Sequence, residues 1–238
     1  MRAPGSPLRL AGGALLSVLA ATPVSAGTIL SPVAVVANTI GNYAGIAGFP
    51  AVTDETPMFD QSGLSVGFVS GVTAFGAYIA QNPLHIGSGP EVGNGWISPA
   101  YCPCTGTIDF DLGEVYEIQE FALWNMASNS GGNVAAIRLF TSLSPDFATA
   151  TEVGDFVNPE VPSDLDPTPP YPVTVFDLVD TSARYVRLAI DSYHGAYFVT
   201  EIGEVAFNVG PAPVPLPASL PLLGAGLAGL AAWRRRRR

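Results

Sequence analysis

The sequence contains no lysine at all. Only ten residues are basic, and seven of them, Arg2, Arg9 and Arg234 to Arg238, lie at the two ends of the chain. Between residues 27 and 210, Arg138, Arg184 and Arg187 stand against all twenty acids, a net charge of −17 where the whole chain has −10. Such a surface repels nucleic acid and anionic lipid. It suits solubility outside the cell and attracts divalent cations, although an ordinary solvated surface accounts for it equally. Histidine is also scarce. His85 and His194 are far apart, and no His-Glu-x-x-His, Gly-x-Ser-x-Gly or Walker pattern accompanies them. They read as loop or packing residues, and the chain as non-enzymatic. Cysteine is limited to Cys102 and Cys104, too few for a four-ligand zinc site. No amphipathic helix of useful length and no repeat period occurs between Gly27 and Val209, which leaves strands.

The two ends carry export signals. Arg2 and Arg9 precede the short apolar run Leu10 to Ala21, and Val24-Ser25-Ala26 offers small residues at the −3 and −1 positions of a signal-peptidase site. An N-terminal membrane anchor is the alternative, weakened by the short apolar run and by Pro23. Residues 1–26 are therefore expected to be a signal peptide. At the other end, Val214, Pro215, Leu216, Pro217 and Ala218 open a stretch uncharged from Leu216 to Trp233, closed by five arginines. Eighteen residues at about 1.5 Å each span roughly 27 Å, close to the hydrocarbon thickness of a bilayer. The arginines would stay cytoplasmic. An ordinary C-terminal anchor is one reading. The ordered set of motif, apolar stretch and Arg cluster resembles the PEP-CTERM class of bacterial sorting signals, in its Val-Pro-Leu-Pro-Ala variant. That resemblance implies an exosortase-type sorting protease, a Gram-negative host, and a role in biofilm or exopolysaccharide. It also implies an inner-membrane-anchored precursor that later reaches the cell surface or extracellular matrix. Residues 211–238 form this signal, leaving 27–210 as one domain, long enough for a core.

Within it, Thr107 to Leu112 alternates, with Ile108, Phe110 and Leu112 on one face and Asp109 and Asp111 on the other. The two aspartates read as the wet face of a sheet, not as a glycosidase pair. Gly113 breaks the run. Glu117 to Asn125 is apolar on both faces and reads as a central strand with Trp124 in the core. Ala135–Ser142, Val173–Leu178, Arg184–Ser192 and Glu201–Val209 are further strands, with a Pro-rich loop from Asn158 to Pro172. The chain's 26 glycines and 22 prolines punctuate these strands, the pattern of an antiparallel sandwich or barrel.

The order of Thr107-Ile-Asp-Phe-Asp-Leu-Gly, Phe121-Ala-Leu-Trp-Asn125, Ala183-Arg-Tyr-Val-Arg-Leu188 and Glu201-Ile-Gly-Glu-Val-Ala-Phe207 resembles the discoidin, or coagulation-factor type C, domain. The resemblance implies an all-β, antiparallel jelly-roll β-sandwich of the galactose-binding-like type. It is close over residues 100–209 and looser before them. Phe59 to Ser65 stands where that family has a turn followed by Trp, and Gly67-Phe68 replaces the Trp.

Three candidate sites follow. Calcium requires six to eight oxygens. Asp60, with Ser62 and Ser65, lies on a Gly-containing turn, and the resemblance implies a structural Ca²⁺ there closed by Glu204. The alternative is an Asx turn in which Asp60 caps backbone N–H groups. Carbohydrate contacts are expected on end loops that mix aromatic faces with polar groups. Trp96 and Tyr101 lie in one such loop, and Tyr193, His194 and Tyr197 in another; Trp96 fits a core position as well. The expected partner is extracellular polysaccharide, and the alternative is a structural or protein-binding surface protein without a small ligand. Finally, Cys102 and Cys104 suit a local disulfide staple outside the cytoplasm, a redox dithiol being the less favoured reading.

Overall fold

A computed structural model describes residues 27–45, 51, 54–86, 93–102, 104–126, 132–160, 170–194, 199–211 and 234. The signal peptide, Tyr197 and the sorting motif Val214 to Ala218 lie outside the described residues. Ten strands occur in this order: β1 (Thr28–Leu30), β2 (Ala34–Asn38), β3 (Leu84–His85), β4 (Trp96–Ile97), β5 (Gly106–Asn125), β6 (Gly132–Asn133), β7 (Ala136–Ser142), β8 (Thr151–Val157), β9 (Tyr171–Ile190) and β10 (Thr200–Pro211). A single 3-10 turn, Thr56–Met58, and one short helix, α1 (Phe75–Ile79), complete the described elements. Apart from the β6–β10 contact the pairings are antiparallel, and the main path runs β1-β10-β5-β9-β7-β8.

The two longest strands organise everything else. Sequence patterning predicts four strands, Thr107–Leu112, Glu117–Asn125, Val173–Leu178 and Arg184–Ser192; the structure joins them into two arches of twenty residues each. Gly106 to Asp111 pairs with Ile190 to Tyr185, and Tyr116 to Trp124 pairs with Ala183 to Val173. Four residues of β5, Leu112 to Val115, oppose Arg184 alone at the shared bend, so the outer strand of the turn carries the surplus. Gly113 takes φ +89°, open to glycine without strain. Its N–H donates to Asp111 Oδ1 (2.7 Å), which holds the bend. The run thus turns at Gly113 rather than ending there.

Each arch places one limb in each layer. The limb 116–125 lies between β10 and β9. The limb 106–111 carries β2 and the end of β9, beyond which come β7 and β8. Phe110, Phe121, Phe176 and Phe207 pack between the layers with ring centroids 5.3–6.3 Å apart. Leu188, Ile108 and Leu139 join them. The double-sided apolar pattern at Phe121 to Trp124 is explained by a second, outer cluster. Ala122 and Trp124 face away from the main core and are covered by Ile29, Phe68, Phe75 and Tyr78.

One expectation is corrected. Asp109 and Asp111 are not a wet face: both are buried. Arg187 donates twice to Asp109 (2.7 and 2.7 Å), and Arg184 twice to Asp111 (2.8 and 2.8 Å). The guanidinium of Arg184 also holds the Asp111 carboxyl below the usual range. Arg187 lies 4.2 Å over the Phe147 ring, a cation–π contact. Alternation predicts the facing correctly, but the neighbouring strand supplies cations that seal the carboxylates from water. Arg138 completes the set with a bidentate pair to Asp191, well exposed on both sides.

Breaking a buried pair leaves an uncompensated charge, whereas exposed pairs contribute little. The Asp109 side chain is 2% exposed. Arg187→Ala should therefore cost about 3–5 kcal/mol in denaturant unfolding, and Arg138→Ala should shift the midpoint far less. Equal losses would show that burial of Asp109 is not what makes its partner matter.

Candidate functional site

The two poles of the sandwich differ. At one, both arches bend. At the other, both ends of β5 meet the start of β10: Ile202 pairs with Asn125, and the Thr200 hydroxyl donates to the Cys104 carbonyl (3.4 Å). This loop pole is tied together by polar side chains. Thr200 N–H donates to Ser98 Oγ (2.7 Å), and Ser98 N–H returns to the Thr200 carbonyl (2.9 Å). Asn125 clamps Val134 through both backbone groups (2.9 Å each), and Asn158 donates to the same Val134 carbonyl (3.0 Å). Asn125, at the end of β5, and Asn158, just after β8, carry no periodic signal in the sequence that would mark them as clamps.

Two of the expected carbohydrate loops converge on this hub. The loop carrying Tyr101 is anchored through Ser98, and Cys102 and Cys104 within it form a disulfide, Cα atoms 4.9 Å apart. Tyr101 is 80% exposed. The loop carrying Tyr193 and His194 is anchored through Asn133, whose strand β6 runs beside Thr200–Glu201. His194 N–H donates to the Asn133 carbonyl (2.8 Å), and its Nε2 lies 2.8 Å from the Asn158 carbonyl, which selects the tautomer protonated there. Both residues are half-buried.

Trp96 is a correction. It is 0% exposed, and its Nε1–H donates to Asn42 Oδ1 (2.7 Å). A ring enclosed on both faces cannot stack on a sugar; Trp96 is core. Its β4 pairs with β10 at Glu201–Ile202, directly over the interlayer space. Gly95 beside it lets the chain approach closely: a Cβ there would meet Met126 Cε at 2.6 Å and the Ile202 carbonyl at 3.1 Å.

The structure brings Asp60 and Glu204 to a common site. Gln61, with φ +65°, donates its N–H to Glu204 Oε2 (2.9 Å). Asp60 Oδ1 accepts the Ser62 N–H (2.8 Å), the Asx turn expected as the alternative to metal binding. Ser65 is turned to β3, where its hydroxyl accepts the Leu84 N–H (3.0 Å). Glu204 is fully buried, and its Oε1 has no hydrogen-bond partner. Burial, assisted by the Asp60 charge, pushes its pKa up to about 9. Tyr78, whose hydroxyl donates to the Val66 carbonyl (2.7 Å), is pushed well above its ordinary value, by burial first and then by Glu204.

His85 adjoins this site and was missed as a neighbour, because only the fold brings it there. Its ring lies between Gly63 and Gly203, where a Cβ on Gly203 would meet Cγ at 2.8 Å. Neither ring nitrogen makes a well-formed hydrogen bond. Burial lowers its pKa to about 4, against smaller opposing effects from the Asn94 backbone and Asp60. Among the described residues, no group of three or more His, Cys, Asp or Glu side chains is placed to hold a metal ion.

Residues 213–237 match the PEP-CTERM protein-sorting motif. The motif implies an exported, membrane-anchored precursor. Among the described residues no helix is long and apolar enough to cross a membrane, and the apolar run 216–233 lies outside them. No curated protein matches the chain. Similar solved structures include a fragment of a putative chitobiase from Bacteroides thetaiotaomicron (20% identity, TM-score 0.41, covering 52% of this chain and 72% of that one). Another is the CBM32-3 module of a family 31 glycoside hydrolase from Clostridium perfringens (20% identity, TM-score 0.37, 50% and 80% covered). A third is the family 32 carbohydrate-binding module of C. perfringens NanJ in complex with galactose (13% identity, TM-score 0.36, 48% and 74% covered).

The buried acid makes a pH prediction for the metal-free protein. Between pH 4.5 and about 9 the folded Glu204 holds a proton that the unfolded chain releases, so its contribution to stability falls as pH rises. His85 acts oppositely, but only between about 4 and 6.5. From pH 7 to 9, thermal melts of chelated protein should therefore decline, by at most about 1.4 kcal/mol per pH unit. Glu204→Gln should flatten that decline; an unchanged slope in the variant would assign it to other groups.

Proposed function

We propose that this is an exported, non-catalytic module that binds extracellular carbohydrate through its loop pole. The observation that carries the reading is the convergence on Thr200–Glu201 of two loops presenting Tyr101, Tyr193 and His194. Aromatic faces stack on sugar C–H faces, and neighbouring polar groups read hydroxyls. The ligand is expected to be neutral. The domain's only three cations, Arg138, Arg184 and Arg187, are each engaged by an aspartate in bidentate pairs, so none is left to receive an acidic sugar. Extracellular polysaccharide of a biofilm or cell-surface matrix fits the export route, with an exosortase-type protease processing the tail. The loss of Trp96 to the core favours a shallow platform, and it is also the observation that supports the second reading, a structural or protein-binding surface protein.

A structural Ca²⁺ belongs to the same proposal. The orphaned, buried Glu204 Oε1 and the adjacent Asp60 are oxygen donors of the kind that ion requires. Asp60 and Glu204 would hold it; the ion would neutralise the buried carboxylate and fix the 60–65 turn to β10. Ser65 is less suited, since its hydroxyl already serves β3.

One stacking platform should give a dissociation constant near millimolar, about −4 kcal/mol. Titration of the 27–211 domain with the host's neutral exopolysaccharide should show it, and Tyr101→Ala and Tyr193→Ala should each weaken it severalfold. Binding that survives both changes would refute the site; no binding to any host glycan would favour the structural reading.

For calcium, melts in chelator and in millimolar Ca²⁺ should differ by mass action. Asp60→Ala should remove the difference. Superimposable wild-type melts would leave Asp60 as a turn cap and Glu204 as a protonated acid.

A further inference from the structure

The chain enters and leaves this domain at the same pole, the one at which the arches bend. Thr28 pairs with Val209, Gly210 with Glu117, and Pro211 with Tyr116. The first and last residues of the fold thus lie beside the apex of β5. That apex exposes two valines: Val115 (41%), next to Tyr116, and Val33 (61%), whose Cγ1 would lie 3.3 Å from a Cβ on Gly113. Tyr101, Tyr193 and His194 lie at the other pole, where β10 begins. The twelve residues of β10 join the two, a separation of roughly 35–40 Å at about 3.3 Å per residue.

The tether is short. Four residues, Ala212 to Pro215, separate Pro211 from Leu216, the first residue of the apolar run 216–233 that would span the bilayer, and two of the four are proline. At about 3.1 Å per residue, a Pro-rich segment of that length reaches roughly 12 Å. The polar layer on each side of a bilayer is itself about 5–8 Å thick. Little free length remains.

We infer that, in the membrane-anchored precursor, the bend pole with Val33 and Val115 lies against the outward leaflet of the bilayer that holds the tail, and the loop pole with Tyr101 points away from it. Glu114 and Glu117 flank Val115, and the domain carries −17 overall, so anionic headgroups would repel this face. The fitting surface is zwitterionic lipid, with contact enforced by the tether. The inference rests on the sorting tail and the strand register, and stands or falls independently of whether a glycan is bound.

The test uses the full chain, tail intact, in phosphatidylcholine vesicles containing lipid with a headgroup nitroxide. Fluorophores are attached at Val115→Cys and Val33→Cys on the bend pole, and at Glu160→Cys beside Asn158 on the loop pole. Labels at 115 and 33 should be quenched severalfold more than the label at 160. Equal quenching at the three positions, or stronger quenching at 160, would overturn the orientation. Two bend-pole reporters guard against one of them failing to fold. Inserting ten Gly/Ser residues after Pro211 should reduce the difference; undiminished quenching would mean that the surface itself holds lipid, and would overturn the tether as the cause.

Discussion

The pairing of β5 with β9, maintained around a shared bend, is the constraint on which the other features depend. A flat pair of twenty-residue strands would bury one face and leave the other open. Bending both strands at Leu112–Val115 and Arg184 lets the same two strands contribute to both layers, so the core forms between their own limbs. The bend needs three things at once. Gly113 supplies the positive φ, Asp111 supplies an acceptor for its N–H, and Arg184 holds that acceptor in place. Arg184 sits in the partner strand at the bend itself, so the cation that neutralises Asp111 is also the residue opposite the four-residue surplus. The polarity of the molecule follows. Folding each arch back brings its two ends together and gathers the loops at one pole, leaving the other to the bends, where Val33, Glu114 and Val115 are exposed.

Much of this was legible in the sequence, and the failures have physical causes. Alternation at Ile108, Phe110 and Leu112 identified the core face correctly, because side-chain period is a local property. The double-sided run at Phe121–Trp124 identified a central strand for the same reason. What a local pattern cannot register is the identity of the neighbour across the sheet. Asp109 and Asp111 looked solvated because nothing nearby in sequence neutralises them; Arg187 and Arg184 arrive from more than seventy residues away. For Trp96 the sequence left two readings open, loop platform and core; two residues of β4 suffice to lay the indole over β10, its one polar atom finds Asn42, and the core reading holds. The short strands β1, β2, β3, β4 and β6 have too few residues to display a period, and β8 mixes Gly154 with acids. Only the closing of the sheets calls them into register.

The Asp60–Glu204 site shows the opposite balance. Motif order pointed to it, but its energetics belong to the fold. A carboxylate fully enclosed beside another acid is costly to ionise, and without a counter-charge the protein keeps it protonated. His85 is enclosed a residue away, between two glycines that leave room for its ring, and is kept neutral for the same reason. Two titratable groups held in their uncharged forms, one with an oxygen that has no partner, represent stability forgone in the metal-free protein. A divalent ion would satisfy Glu204 without asking anything of His85, since calcium takes oxygen and not imidazole.

Weak binding at the loop pole is compatible with function only if copies act together. Tethered molecules present their sites at an effective concentration set by reach, and a short Pro-bearing tether limits that reach while fixing direction. A flexible linker would spread each site over a larger volume and let the domain lie on its side, hiding part of the pole. With both chain ends at the bend pole, every copy on a membrane would present the same face outward. The acidic surface then has a second consequence. Neighbouring copies, each near −17, would repel one another at separations within a Debye length of about 8–10 Å, which favours a dispersed layer. Under the proposed function, a dispersed, uniformly oriented layer of shallow sites would grip a repeating neutral polymer at many points and release it one point at a time, whereas one tight site per molecule would hold a single sugar and leave the rest of the chain free.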